Sequence, residues 1–181
     1  MEEIEVSYEA VESCVDRIWQ AKPRFVIHVG VAGRRPNISL ETKSFNGCYN
    51  LKDALGKVGI SSPSSDNPLN VDGPGDCFLN VFKFLINFGI NSVELQTDID
   101  LVECLACCPT KFPVELSDDP GNYLCGYIYY KSLQKVAELR GIGARVSTLF
   151  IHVPIIQTVP SETVAECLLS ICNHLIEKYS N

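Results

Sequence analysis

Basic runs are missing from this chain. Across its 181 residues no Lys/Arg run is longer than the pair Arg34-Arg35, and the net charge is −7. Nucleic-acid binding draws on a concentrated positive surface that displaces counterions, so no nucleic acid is expected as a partner. Long hydrophobic runs are missing too. A bilayer span takes about 20 mostly apolar residues, and the richest stretch here, Cys77–Ile90, is broken by Asn80, Lys83 and Asn87. An acidic chain is also repelled by anionic membrane surfaces, so no membrane is expected as a partner. The opening Met1-Glu2-Glu3-Ile4-Glu5 is acidic where a secretory leader would be basic. The nine cysteines are odd in number and scattered along the whole chain, unlike the regular spacing of small disulfide scaffolds. The expected location is cytoplasmic, with mostly buried free thiols.

What remains is the composition of a globular protein, 46% apolar and 20% charged. The length suffices for one hydrophobic core, and a single domain over 1–181 is expected. Residues Tyr8–Lys22 place Val11, Val15, Ile18 and Trp19 on one face of a helix that Lys22-Pro23 ends. Arg24–Val31 is a β-branched apolar run that reads as a buried, parallel strand. Ile38–Leu40 is a shorter strand running into Glu41. Ser61–Gly75 is dense in turn residues, and Cys77–Ile90 fits helix or strand. Asp98–Cys108 has a helical pattern capped at Thr97 or Asp98 and stopped by Pro109. Val114–Leu116 is a brief strand. The turn Asp118–Asn122 leads into a long helix over Tyr123–Leu139. Val146–Val153 is a further strand, and Glu162–Tyr179 a terminal amphipathic helix. Strands alternating with helices imply an α/β, three-layer αβα sandwich with a mostly parallel sheet, phosphorylase- or hydrolase-like.

Histidine is scarce: His28, His152 and His174 are all there is. His174 lies in the last helix and reads as a surface or boundary residue. His28 lies inside a buried strand, where a neutral, hydrogen-bonded core histidine is the default. His152 stands at the end of its strand, and open α/β sheets bind ligands beyond the carboxyl ends of their strands. Among the cysteines, Cys104, Cys107 and Cys108 invite a zinc reading. No second pair at ligand spacing accompanies them, since Cys167 and Cys172 fall in a helical pattern, so no metal is expected. Cys125 has a different setting. It follows the turn Asp119-Pro120-Gly121 and opens a helix, where free N–H groups favour a thiolate and can receive an oxyanion. A buried helix-start cysteine is the alternative reading of the same pattern.

Three separated segments resemble the catalytic motifs of pyroglutamyl peptidase I, a family of cysteine peptidases. The first is His28-Val29-Gly30-Val31-Ala32-Gly33 with Ile38-Ser39-Leu40-Glu41. The second is Ser117-Asp118-Asp119-Pro120-Gly121-Asn122-Tyr123-Leu124-Cys125, followed by Tyr129-Tyr130. The third is Phe150-Ile151-His152-Val153-Pro154. They occur in the family's order, and the resemblance runs from about Glu5 to the C-terminus. It implies an omega peptidase that releases N-terminal pyroglutamate from peptides and needs no cofactor. Cys125 would be the nucleophile, His152 the base and then the acid, and Glu41 the residue that orients the imidazole. Val31, Ala32 and Gly33 would border the substrate.

The family opens with a strand and a glycine- and phenylalanine-rich loop that packs against the lactam ring. No counterpart stands here, so the resemblance implies a chain lacking that N-terminal segment, with weaker substrate binding and open strand edges prone to self-association. An inactive or weakened paralogue, or a truncated isoform, that acts by binding is the alternative. A nucleoside-phosphorylase-like enzyme would need a phosphate site, for which the Gly30…Gly33 turn alone is too little.

Overall fold

Ser147–Val153 reads STLFIHV, and every one of its residues is buried. A strand with no exposed face needs a packed layer on each side, and this strand sets the architecture. The structure, a computed structural model, describes residues 3–46, 49–59, 94–109 and 113–179. Its elements in chain order are α1 (Tyr8–Gln20), β1 (Phe25–Val31), β2 (Ile38–Glu41), β3 (Lys43–Phe45), β4 (Glu94–Gln96), α2 (Leu101–Cys107), β5 (Val114–Ser117), α3 (Leu124–Gly141), β6 (Ser147–Val153) and α4 (Ser161–Tyr179). The main sheet has the order β1-β6-β2-β5. β1 runs parallel to β6 and β2 parallel to β5, while β2 meets β6 antiparallel. β3 and β4 form a separate antiparallel ribbon.

Alternation along β6 divides the interior in two. Leu149, Ile151 and Val153 join Ile38 and Leu40 of β2, Cys104 of α2, and Cys167, Ile171 and Leu175 of α4 in one core. Phe150 joins Val11, Val15 and Trp19 of α1 with Tyr127, Tyr129, Leu133 and Val136 of α3 in the other. Helices therefore cover both faces of a mostly parallel sheet, which is the three-layer sandwich expected from the alternation of elements.

Capping fixes where the helices begin. The Ser7 hydroxyl accepts from Ala10 N–H at 3.2 Å, and Asp53 Oδ2 accepts from Tyr8 N–H at 3.0 Å, so two free donors of α1 are satisfied. α2 starts later than the sequence pattern implied. Asp100, not Thr97 or Asp98, caps it, accepting from Val102 and Glu103 N–H at 3.1 and 3.2 Å. The two earlier candidates are occupied: Thr97 donates to the Thr148 carbonyl, and Asp98 pairs with Arg140 and Ser147. The expected loop Ser61–Gly75 and the expected apolar segment Cys77–Ile90 lie outside the described residues.

His28 is the neutral core histidine its strand implied. Its Nε2 lies 2.8 Å from Ser132 Oγ, and the Trp19 indole donates to the same oxygen at 3.0 Å. A hydroxyl that accepts from the indole still has its own O–H and a second lone pair, so it can satisfy Nε2 of a neutral ring. Burial lowers the His28 pKa to about 4 from an ordinary 6.5. Below pH 6.5 the unfolded chain takes up a proton that the folded chain refuses, so this contribution is full above pH 6.5 and is lost as pH falls toward 4. Stability should drop by about 2 kcal/mol between pH 7 and pH 5 on this account. Urea midpoints at the two pH values measure it; an equal drop in His28→Gln would show that another group is responsible.

Candidate active site

The ladder registers bring together residues far apart in sequence. Across the antiparallel β2–β6 pair, Ser39 faces His152 and Glu41 faces Phe150. Glu41 and His152 are therefore diagonal neighbours on one face, about 7–8 Å apart along such a diagonal. A glutamate is long enough to close that gap. Its Oε1 lies 2.6 Å from His152 Nδ1, and because a carboxylate accepts, Nδ1 carries the proton and Nε2 is left as the basic nitrogen. Glu41 is fully buried, and its Oε2 has no hydrogen-bond partner. The Tyr129 hydroxyl donates to the Glu41 backbone carbonyl at 2.8 Å, pinning the strand end beneath the carboxylate.

Cys125 approaches the same face from above. It is the second residue of α3, and Tyr123 at the cap position provides no side-chain cap, which leaves the first N–H groups of the helix unclaimed by it. Two glycines make room. A Cβ on Gly126 would lie 2.0 Å from the Gly121 carbonyl oxygen, so the turn before the helix folds directly onto it; Gly121 itself has φ +81°. A Cβ on Gly30 would lie 3.1 Å from the Cys125 sulfur and 2.8 Å from the Phe150 ring. The thiol thus sits over Gly30, and Gly30 is the register partner of His152 across the β1–β6 ladder. Neighbouring strands are about 4.8 Å apart. Nucleophile candidate, imidazole and carboxylate share one corner of the sheet.

Burial pushes the Cys125 thiol up, the negative charge of Glu41 adds to this, and Arg35 opposes it. A thiol in that setting needs a base to become a nucleophile. Arg35 was not among the residues singled out from the sequence. Its guanidinium reaches Glu41 Oε1 at 2.6 Å and Ser117 Oγ at 3.0 Å, and it also donates to the Asp119 carbonyl. The only sequence signal was a basic pair six residues before Glu41, and such pairs are usually solvated.

The stretch Val31–Gly33, expected to border the substrate, forms a backbone turn. Ala32 N–H donates to the Val153 carbonyl at 2.9 Å, and the Ala32 carbonyl accepts from Arg35 N–H at 3.0 Å. Val31 alternates to the face of β1 opposite Gly30, and Gly33 lies near Ile155. This segment holds the turn that carries Arg35. On the other side of the sheet the thiols of Cys107 and Cys108 both donate to the Cys104 carbonyl, at 3.1 and 3.2 Å. Burial pushes Cys104 to about 11 and Cys108 to about 12. Among the described residues no group of three side chains has the arrangement to hold a metal ion, and none of the described helices is long and apolar enough to cross a membrane.

A sheet covered by helices on both faces, with a cysteine, a histidine and a buried carboxylate at one corner, has the parts that nucleophile–base chemistry of the thiol-hydrolase class uses. Comparison with known proteins narrows the class. No family model matches the chain. In sequence it is 29% identical over 154 residues to rat pyroglutamyl-peptidase 1 and 27% identical to the human protein, covering 84% of this chain and 60% of each relative. It is 24% identical over 150 residues to a pyrrolidone-carboxylate peptidase of a Thermoanaerobacter strain. The chain spans about 60% of the length of the curated relatives it matches. In fold it superposes on a mutant pyrrolidone carboxyl peptidase from Pyrococcus furiosus with a TM-score of 0.69 at 21% identity, covering 97% of this chain and 80% of that one. The Thermus thermophilus enzyme gives 0.66 at 22% identity, covering 95% and 80%. The chain resembles the pyroglutamyl peptidase I family in sequence and shares the fold of its solved members.

The glycine contacts make a prediction. Gly126→Ala should force the Gly121 turn away from the helix, destabilise the fold by about 1–3 kcal/mol and slow alkylation of Cys125. Thermal melts and mass-resolved labelling test it. A variant with unchanged melting and labelling would mean that the turn does not hold the thiol in place.

Proposed function

We propose that this chain is a cysteine-type omega peptidase that removes N-terminal pyroglutamate from peptides, with Cys125, His152 and Glu41 as its catalytic triad. The observation that carries the reading is the Glu41–His152 bond at 2.6 Å beneath a thiol seated over Gly30, in a fold shared with pyrrolidone carboxyl peptidases. Glu41 holds the imidazole with its proton on Nδ1, which leaves Nε2 to take the thiol proton. The sulfur then attacks the carbonyl carbon of the pyroglutamyl residue. The oxyanion that forms is stabilised by N–H groups at the start of α3. His152, now protonated, gives its proton to the departing amine as the C–N bond breaks, leaving a thioester on Cys125. Water follows the same route: His152 removes its proton, the thioester carbon is attacked, and free pyroglutamate leaves as the thiol is restored.

Cys125→Ser and His152→Gln should each lower kcat/KM on a chromogenic pyroglutamyl amide about a thousandfold or more. Glu41→Gln should cost less and change the pH profile, because a neutral partner still orients the ring but no longer offsets its charge. Activity retained in Cys125→Ser would end the assignment. Binding of a pyroglutamyl peptide with no turnover by the wild-type chain would replace it with a binding role for an inactive relative.

Self-association belongs to the same reading. Among the described residues β1 is an edge of the main sheet, with Val29 50% and Val31 65% exposed. An open edge lined by apolar side chains invites pairing with another strand. Sedimentation should show mass rising with concentration, and Val31→Lys should reduce it. A monomer at every concentration would rule the association out.

A further inference from the structure

Arg35 does more than neutralise a buried carboxylate. Its NH1 lies 2.6 Å from Glu41 Oε1, the same oxygen that receives the His152 proton. That nitrogen also reaches Ser117 Oγ at 3.0 Å, while NH2 donates to the Asp119 carbonyl. Ser117 ends β5, and Asp119 begins the turn that leads into Cys125. One planar fork therefore touches the partner of the base and the loop of the nucleophile. We propose that Arg35 is a positioning residue for the proposed reaction: its guanidinium fixes where the Cys125 loop stands relative to His152, and its charge sets the pH window in which both groups work. The proposal rests on the triad reading of this site.

The charges around it are few. Glu41 comes from β2, His152 from β6, and Cys125 and Tyr129 from α3. Asp118 and Asp119 come from the turn, where Asp118 lies 3.9 Å from the Lys43 ammonium. Lys43 is itself engaged by Glu94 at 2.9 Å. Glu115, on β5, is held by Asn37 and Ser39 at 2.8 and 3.1 Å. Among the described residues Arg35 is thus the cation that Glu41 meets. A triad carboxylate stabilises the imidazolium through its charge, and here that charge is shared at one oxygen. A cation beside a thiol and an imidazole favours the deprotonated form of each. Removing it should raise both ionisations together, whereas damage to packing lowers the rate without moving either. A lysine keeps the charge but, with a single ammonium, cannot span Glu41 and Asp119 together.

The two contributions separate in two variants, Arg35→Met and Arg35→Lys. The chain has three histidines, so the His152 ring signal is assigned by its loss in His152→Gln and titrated by NMR. Iodoacetamide labelling of Cys125, followed by intact mass against pH, reads the thiol without any substrate. In Arg35→Met both midpoints should move to higher pH and the plateau labelling rate should fall about tenfold or more. In Arg35→Lys the midpoints should stay near wild type while the plateau falls. Midpoints and plateau in Arg35→Met within twofold of wild type would overturn the proposal, as would a folded Arg35→Met whose rate falls with neither midpoint moving. If Arg35→Met does not fold, Arg35→Lys decides: a lowered plateau supports the fork, and an unchanged one overturns it. A wild-type chain that labels at Cys125 in a His152-dependent way yet releases no pyroglutamate would end the substrate reading and leave the role of Arg35 to these same measurements.

Discussion

A carboxylate with no solvent contact governs this corner of the fold. Glu41 is fully buried at the end of β2, and burying a charge is costly unless charged and hydrogen-bonding partners meet it. His152 and Arg35 both do so, each at 2.6 Å and both at Oε1. The partners arrive from different directions, His152 along the antiparallel neighbour strand and Arg35 from the turn after β1. The mixed sheet is what allows this. Were β2 parallel to β6, its end would not lie diagonal to His152 in this register, and the carboxylate would be buried without that partner. Removing one side of such a pair typically costs about 3–5 kcal/mol, so sheet order and site are under one constraint.

The layers were legible in the sequence because burial leaves periodic traces. Phe25–Val31 and Ser147–Val153 are apolar runs of strand length, and both are strands that pair in parallel; Ser147–Val153 is buried throughout, whereas Phe25–Val31, expected to be buried, lies at the sheet edge and buries only Val26 and His28. Val11, Val15 and Trp19 recur at helical spacing, and all three are core residues of α1. In the last helix Ile176 falls beside Leu175 on the apolar side of the sequence pattern, yet it is half exposed; the face turned to the sheet is narrower, set by Cys167, Ile171 and Leu175. Start points were harder. The sequence pattern placed the cap of α2 at Thr97 or Asp98; tertiary pairing of Asp98 with Arg140 and Ser147 takes it out of that role, and Asp100 caps instead.

The site left weaker traces. Cys125 stood apart locally, since a turn with glycine runs into a helix there. Glu41 did not: a lone carboxylate at a strand end looks solvated, and the resemblance alone raised it. Arg35 left almost no trace, because its three contacts come from β2, β5 and the Asp119 turn, and none is local enough to show in a short window. Residues whose role is to connect elements are set by topology. A sequence pattern reports the elements and is silent about the connection.

The two strand histidines show what decides the function of a buried imidazole. His28 and His152 share one face of the sheet and one aromatic neighbour, with Phe150 at 6.2 Å from the first ring and 4.7 Å from the second. Both are almost fully buried. Exposure therefore does not distinguish them. The partner does. Ser132 gives His28 a hydroxyl, which can satisfy a neutral ring but cannot offset a positive one, and burial lowers its pKa to about 4. Glu41 gives His152 a carboxylate oxygen at Nδ1, one that it shares with Arg35. In the proposed reaction the ring accepts a proton from a thiol and later releases it to an amine, which needs an environment that tolerates the charged state. Only one of the two strands ends beside such a carboxylate, and that strand end is the one over which α3 delivers its cysteine.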